Sequence, residues 1–189
     1  MYHDETSALT DEPKKSTFYQ SLNGTWKFNI VKNPVDRPLN FYKKDVEDVN
    51  WRDIKVPSNW ELQGFDRTTF EISKDWKNKE VILHFGSISG YARIYLNGKE
   101  VGMTKASKTA SEFNISKFLS EGKNLLAVQI FRWHDGSYLE DQDFWRLSGI
   151  ERDVYLQALP KFAVWDYFAT ASLDEEYKNG IFNVAIDLR

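Results

Sequence analysis

The 189-residue sequence contains no cysteine, which excludes disulfide frameworks and cysteine-based metal sites and leaves the redox compartment open. It has no apolar run approaching the ~20 residues that cross a bilayer. Its opening, MYHDETSALTDEPKKS, lacks the apolar centre of a secretory signal. A soluble protein is expected, with cytoplasm and periplasm equally allowed. Strong charge is missing as well: the net charge is −3, so there is no electrostatic footprint for nucleic acid or an anionic membrane, and neither partner is expected. Only three histidines occur; His3 lies in the polar opening, and His84 and His134 are isolated from each other in sequence, which gives no transition-metal spacing.

What the chain has in excess is aromatic side chains. Seven Trp, nine Tyr and thirteen Phe suit β-sandwich cores and surfaces that stack on sugars. Residues 1–17 are polar and aperiodic and are expected to form a flexible N-terminal arm. Structure begins at SLNGTWKFNIV, where Trp26, Phe28 and Ile30 alternate with Lys27 and Asn29 at the strand period. The following segment holds three of the five prolines and is read as a long excursion returning through Ile54 and Val56.

From residue 67 strand signals come close together: TTFEI, EVILHF, YARIYLN, KEVGMT, EFNI, NLLAVQIFRW and RDVYLQAL. Asn97-Gly98 between two alternating segments marks a hairpin with a type I′ turn. KFLSEGKN allows one short helical turn ending at Gly122, so there is no βαβ alternation. The expected fold is all-β, an antiparallel sandwich or jelly roll over residues 18–159. Beyond Pro160 the pattern changes to two longer strands, with Asn179-Gly180 as the expected turn, and residues 160–189 read as the first hairpin of a second domain.

One stretch gathers chemistry. DGSYLEDQDFW places Asp135, Glu140, Asp141 and Asp143 within eleven positions that also hold Tyr138, Phe144 and Trp145. A glycosidase needs two carboxylates about 5 to 9 Å apart, and strand geometry allows Asp141 and Asp143 such a spacing without requiring it. An EF-hand is excluded, because the glycine follows the first aspartate directly and the flanks are strands. One or two of the carboxylates helping to hold a hard cation stays open. So does a structural reading, with Asp135-Gly136-Ser137 as turn, Asp141 paired with Arg146 or Arg152, and Tyr138, Phe144 and Trp145 as packing.

SLNGTWKFNI, VPSNWELQGF, YLNGKEVGMTKASKTASEFNIS and EGKNLLAVQIFRWHDGSYLEDQDFWRLSGIERDVYL together resemble the N-terminal sugar-binding domain of family 2 glycoside hydrolases, in the manner of its β-galactosidases. The similarity spans residues 18 to 189, and the long motif from Arg132 to Val154 carries most of it. The resemblance implies a jelly roll of galactose-binding-domain type, followed from residue 160 by the first strands of an immunoglobulin-like domain. A TIM barrel outside these residues would bear both catalytic glutamates of a retaining hydrolase. No catalytic residue is therefore expected in this chain, which alone should not cleave a glycoside.

The resemblance assigns one residue here a direct role. Asp143 matches the family's aspartate that contacts galactosyl hydroxyls and ligates a sodium ion beside the sugar, while magnesium belongs at the barrel. A carboxylate suits both tasks, since it accepts hydrogen bonds and offers a hard oxygen. Implied partners are a β-galactoside, the enzyme's other domains and a second copy in a homo-oligomer. The sequence departs from the family between Asp66 and Arg67, where a long loop with a further sugar-contacting asparagine is expected and is not present. β-Glucuronidases and β-mannosidases share the architecture, and DGSYLEDQD favours the galactosidase branch. A stand-alone carbohydrate-binding module and a purely structural assembly domain are the rival readings.

Overall fold

The computed structural model describes residues 2, 4–10, 12–60, 63–140 and 145–189. In chain order its strands are β1 (Tyr19–Ser21), β2 (Gly24–Val31), β3 (Arg52–Val56), β4 (Ser58–Trp60), β5 (Gln63–Phe70), β6 (Glu80–Phe85), β7 (Ile88–Ser89) and β8 (Tyr91–Leu96). They continue with β9 (Lys99–Thr104), β10 (Ser111–Asn114), β11 (Asn124–Phe131), β12 (Ser148–Ile150), β13 (Val154–Leu159), β14 (Val164–Leu173) and β15 (Gly180–Leu188). Among the described residues the only α-helices are two single turns, α1 (Glu5–Ala8) and α2 (Gly136–Leu139). Every strand pairing is antiparallel, as expected for a chain with no crossover helices.

Two sheets make the sandwich. One has the order β1-β13-β6-β10, the other β3-β2-β5-β11-β8-β9, and a small sheet β4-β12-β7 closes one end. Trp26 and Phe28, alternating on β2, point between the layers with Leu83, Phe85, Ile94, Leu126, Val128, Ile130 and Leu156. Each such side chain contributes about 1.5 to 3 kcal/mol by leaving water. Asn97 and Gly98 both have positive φ, 52° and 81°, as a type I′ turn requires, and join β8 to β9.

Strand β11 is buried on both faces, which explains why NLLAVQIF does not alternate. Its outer face is covered by the proline-containing excursion: Phe41 packs on Phe65, Tyr95 and Ala127, and Tyr42 stacks on Tyr95 at 4.5 Å. Arg67 of β5 reaches out to the same segment, donating to the carbonyls of Val46 at 3.0 Å and Lys43 at 3.1 Å and pairing with Asp48 at 3.0 Å. Asp66, one position earlier, necessarily faces inward. It lies opposite Phe28 and Val128 in the main core, so β5 crosses the Asp66–Arg67 junction without interruption.

Two local expectations are corrected. The turn between β14 and β15 spans 174–179 rather than Asn179-Gly180: the positive φ falls on Tyr177. Asp174 organises the turn, accepting from the Lys178 amide at 2.8 Å and from the Asn179 side chain at 2.6 Å. The helical turn expected up to Gly122 is instead a 3-10 turn at Ser116–Phe118. Glycine 122 serves the next bend with φ 71°.

Candidate functional site

The segment between β11 and β12 leaves the six-stranded sheet at Phe131 and returns to the small sheet at Ser148. Its root is tied by side chains. Arg132 donates through Nη2 to the Arg146 carbonyl at 3.0 Å, joining the two limbs. Ser137 Oγ donates to the Arg132 carbonyl and accepts from the His134 amide, both at 3.1 Å. Asp135 opens α2, and its Oδ1 accepts from Gly136 N–H at 3.1 Å. The turn expected at Asp135-Gly136-Ser137 is thus the start of a helical turn.

Asp135 is also held from outside the loop. Lys105, immediately after β9, places Nζ 2.7 Å from Asp135 Oδ2. That ammonium above all, and then His134 and the Gly136 amide, pull the carboxyl down to about 2. Asp135 is therefore an anion throughout the physiological range, spent on loop structure and not on proton transfer.

Beside this loop lies a cleft of about 260 Å³ whose lining includes Ser89, Lys108, Trp133, His134, Glu140 and Trp145. Lys108, in the lining, forms an ion pair with Glu151, and Ser87 Oγ donates to the same carboxylate at 3.0 Å. The expectation that Tyr138 and Trp145 fill a core is overturned: they are 78% and 84% exposed, and Trp133 is 52% exposed. Of these rings, Trp133 and Trp145 line the cleft. Flat rings beside hydroxyls, an ammonium and a carboxylate suit a neutral polyhydroxylated ligand.

Glu140 is the one carboxylate among the described lining residues, so the pair a glycosidase requires is not assembled by them. Asp141, Asp143 and Phe144, like His3, lie outside the described residues, and the structure does not test their assigned roles. Among the described residues no group of three or more His, Asp or Glu could hold a metal ion. His84 is engaged elsewhere, with Nδ1 2.8 Å from Glu112 and its ring stacked on Tyr155 at 4.3 Å. Sequence reasoning missed Lys105, Lys108 and Glu151, because they act through contacts 30 or 43 positions apart, which no local spacing announces.

Residues 66–160 match the family model described as glycosyl hydrolases family 2, sugar binding domain. The chain belongs to that family. The domain is 35% identical over 219 residues to a β-galactosidase of Priestia megaterium, covering 99% of this chain and 21% of the relative. It is 37% identical over 193 residues to a β-galactosidase of Photobacterium profundum, covering 87% of this chain and 19% of that one. The chain thus spans about a fifth of the length of the curated relatives it matches. The first alignment, at 219 positions, is longer than the 189 residues present. Among solved structures, the β-glucuronidase of an uncultured Clostridium species superposes with a TM-score of 0.78 at 27% identity, covering 90% of this chain and 33% of its own. No helix among the described residues is long and apolar enough to cross a membrane.

Proposed function

We propose that this chain is the sugar-binding domain of a retaining β-galactosidase and supplies one edge of the galactosyl site, while both catalytic glutamates lie on a barrel outside these residues. The observation that carries the reading is the match to β-galactosidases across nearly the whole chain. The cleft beside the loop between β11 and β12, lined by Trp133 and Trp145, supports it. In this reading Asp143 accepts hydrogen bonds from galactosyl hydroxyls. Residues 160–189 begin an immunoglobulin-like domain, and their exposed apolar strands agree with a layer awaiting its partner sheet. The intact enzyme is proposed to be a homo-oligomer.

Sodium belongs to the same proposal, with Asp143 as the ligand from this chain. In this reading the remaining sodium donors, and the magnesium, belong to the other domains of the enzyme. A β-glucuronidase is the second reading, favoured by the structural likeness at 27% identity. The two are separated by comparing p-nitrophenyl galactoside with the glucuronide on the full-length polypeptide.

The site assignment is tested by Asp143→Ala in that polypeptide. Losing a charged hydrogen bond to a hydroxyl should lower kcat/KM on the galactoside by about 10- to 100-fold. Unchanged kcat/KM would show that Asp143 does not touch the sugar. The isolated 189-residue chain should cleave nothing, and its tryptophan fluorescence should show no sub-millimolar response to galactose; binding in that range would favour a stand-alone module.

A further inference from the structure

We propose that the cleft between the outer face of β6 and β10 and the base of the β14–β15 hairpin is a second carbohydrate site, apart from the galactosyl edge, and that it holds a neutral disaccharide. The cleft measures about 440 Å³. That is the size of small-molecule sites, which favour such junctions between structural units. It shares no lining residue with the cleft beside α2: Glu80 opens β6, whereas Ser89 of the other cleft follows the far end of that strand.

Trp165 is aimed into it by a backbone irregularity. Val164 pairs with Leu188 and Asp166 with Asp187, so β14 takes two steps where β15 takes one, and Trp165 is the extra residue of a bulge. A bulge re-aims its side chain relative to the rest of the strand. The indole accordingly lines the cleft and is 38% exposed, while Tyr167 and Phe168 are 67% and 70% exposed. Arg189 stands across the hairpin, its carbonyl accepting from Ala163 N–H at 2.7 Å, and its guanidinium lies over the indole at 4.9 Å from the centroid. That contact steadies the ring and brings N–H donors to the cleft wall.

The sandwich wall is acidic and already ordered. Val81, Leu83 and Phe85 of β6 belong to the core, so Glu80 and Ile82 face outward, as do Glu112 and Asn114 on β10 in register with them. Asn114 Nδ2 donates to Glu80 Oε2 at 3.1 Å, and His84 Nδ1 lies 2.8 Å from Glu112 Oε1. Among the described contacts this leaves Glu80 Oε1 and Glu112 Oε2 to accept from hydroxyls, while Lys161 and Arg189 donate. Two carboxylates and two cations cancel formally, so the lining selects neither an anion nor a cation. An indole with fixed acceptors and donors of balanced charge matches a sugar, whose C–H face packs on the ring while its hydroxyls reach the polar groups.

The experiment uses the full-length polypeptide with cellobiose, a neutral β-linked disaccharide that is not a galactoside, followed by saturation-transfer NMR. Transfer to cellobiose should saturate in the millimolar range, because a cleft whose Glu112 side chain is 47% exposed leaves many sugar hydroxyls in water. It should persist when isopropyl thiogalactoside fills the galactosyl site, and inert salt should not weaken it, since the ligand is neutral. Trp165→Ala should abolish it. Glu80→Gln combined with Glu112→Gln, which keeps the shape of the wall, should weaken it about 3- to 10-fold. Both variants should hold kcat/KM on p-nitrophenyl galactoside within about 2-fold. No transfer in the unmodified polypeptide, or a signal that the thiogalactoside removes, overturns the second site. A kcat/KM that falls in both variants merges the cleft with the galactosyl site and overturns it as well. If Trp165→Ala lowers the melting temperature by several degrees, the glutamine pair decides, and unchanged binding there overturns the inference.

Discussion

Replacing Asp66 with asparagine should flatten the dependence of this chain's stability on pH between about 5 and 7.5. Asp66 is 1% exposed on the inner face of β5, and its Oδ2 meets no partner. Burial alone raises its carboxyl to about 8, against about 3.9 in an unfolded chain. Between those values the folded protein keeps a proton that the unfolded chain has released, so stability is full below about pH 4 and declines as pH rises, by about 1.4 kcal/mol per unit. From pH 5 to 7.5 the loss comes to about 3 kcal/mol, a large part of the stability of an ordinary domain. The other shifted groups act outside this window. Asp135, Asp153 and Asp174 are lowered, so what they add is lost only in acid. The shifted lysines and tyrosines are raised from values already at or above 10. Urea unfolding followed by tryptophan fluorescence at half-unit pH steps measures the slope. Asp66→Asn should fall at or below the unmodified chain at pH 5 and exceed it at pH 7.5. A slope that survives in Asp66→Asn, or an unmodified chain without one, would refute the argument.

Gly149→Ala should destabilise the chain by about 3 kcal/mol, because Gly149 has φ 129° and an added Cβ would sit 2.6 Å from the Ser58 carbonyl oxygen across β4. A urea midpoint unchanged within error would show that the small sheet yields freely there. Arg67→Met should cost about 2 to 3 kcal/mol and expose the excursion, since Arg67 ties the Val46 and Lys43 carbonyls and Asp48 to β5. Hydrogen exchange should then speed up across residues 34–51 while β6 stays protected; uniform acceleration over the whole sandwich would contradict a local role.

Features carried by neighbouring residues were legible before any fold was known. Trp26 and Phe28 alternate on β2 and point into the core, and Asn97-Gly98 turns with both φ angles positive, because strand period and turn chirality are properties of a few consecutive residues. The loop motif stood out through its residue types, but its place at a sugar site came from the family resemblance and not from those types. The exposure of Tyr138 and Trp145 was not legible, because a ring's burial depends on which layer passes over it. The same holds for Asn179-Gly180, whose turn chemistry lost to Asp174 gathering the Lys178 amide and the Asn179 side chain.

The sequence by itself determined that the chain is an antiparallel all-β sandwich without disulfides, and which loop carries the acidic and aromatic residues. Those outcomes follow from period, composition and turn residues, which act over a few positions. Tertiary structure alone decided that Asp66 lies inside the core, that Lys105 holds Asp135 and Lys108 holds Glu151, and that the excursion seals the outer face of β11. Each of these depends on strands distant in sequence being brought into register, and a side chain's charge state and partners are set by whatever that packing places beside it.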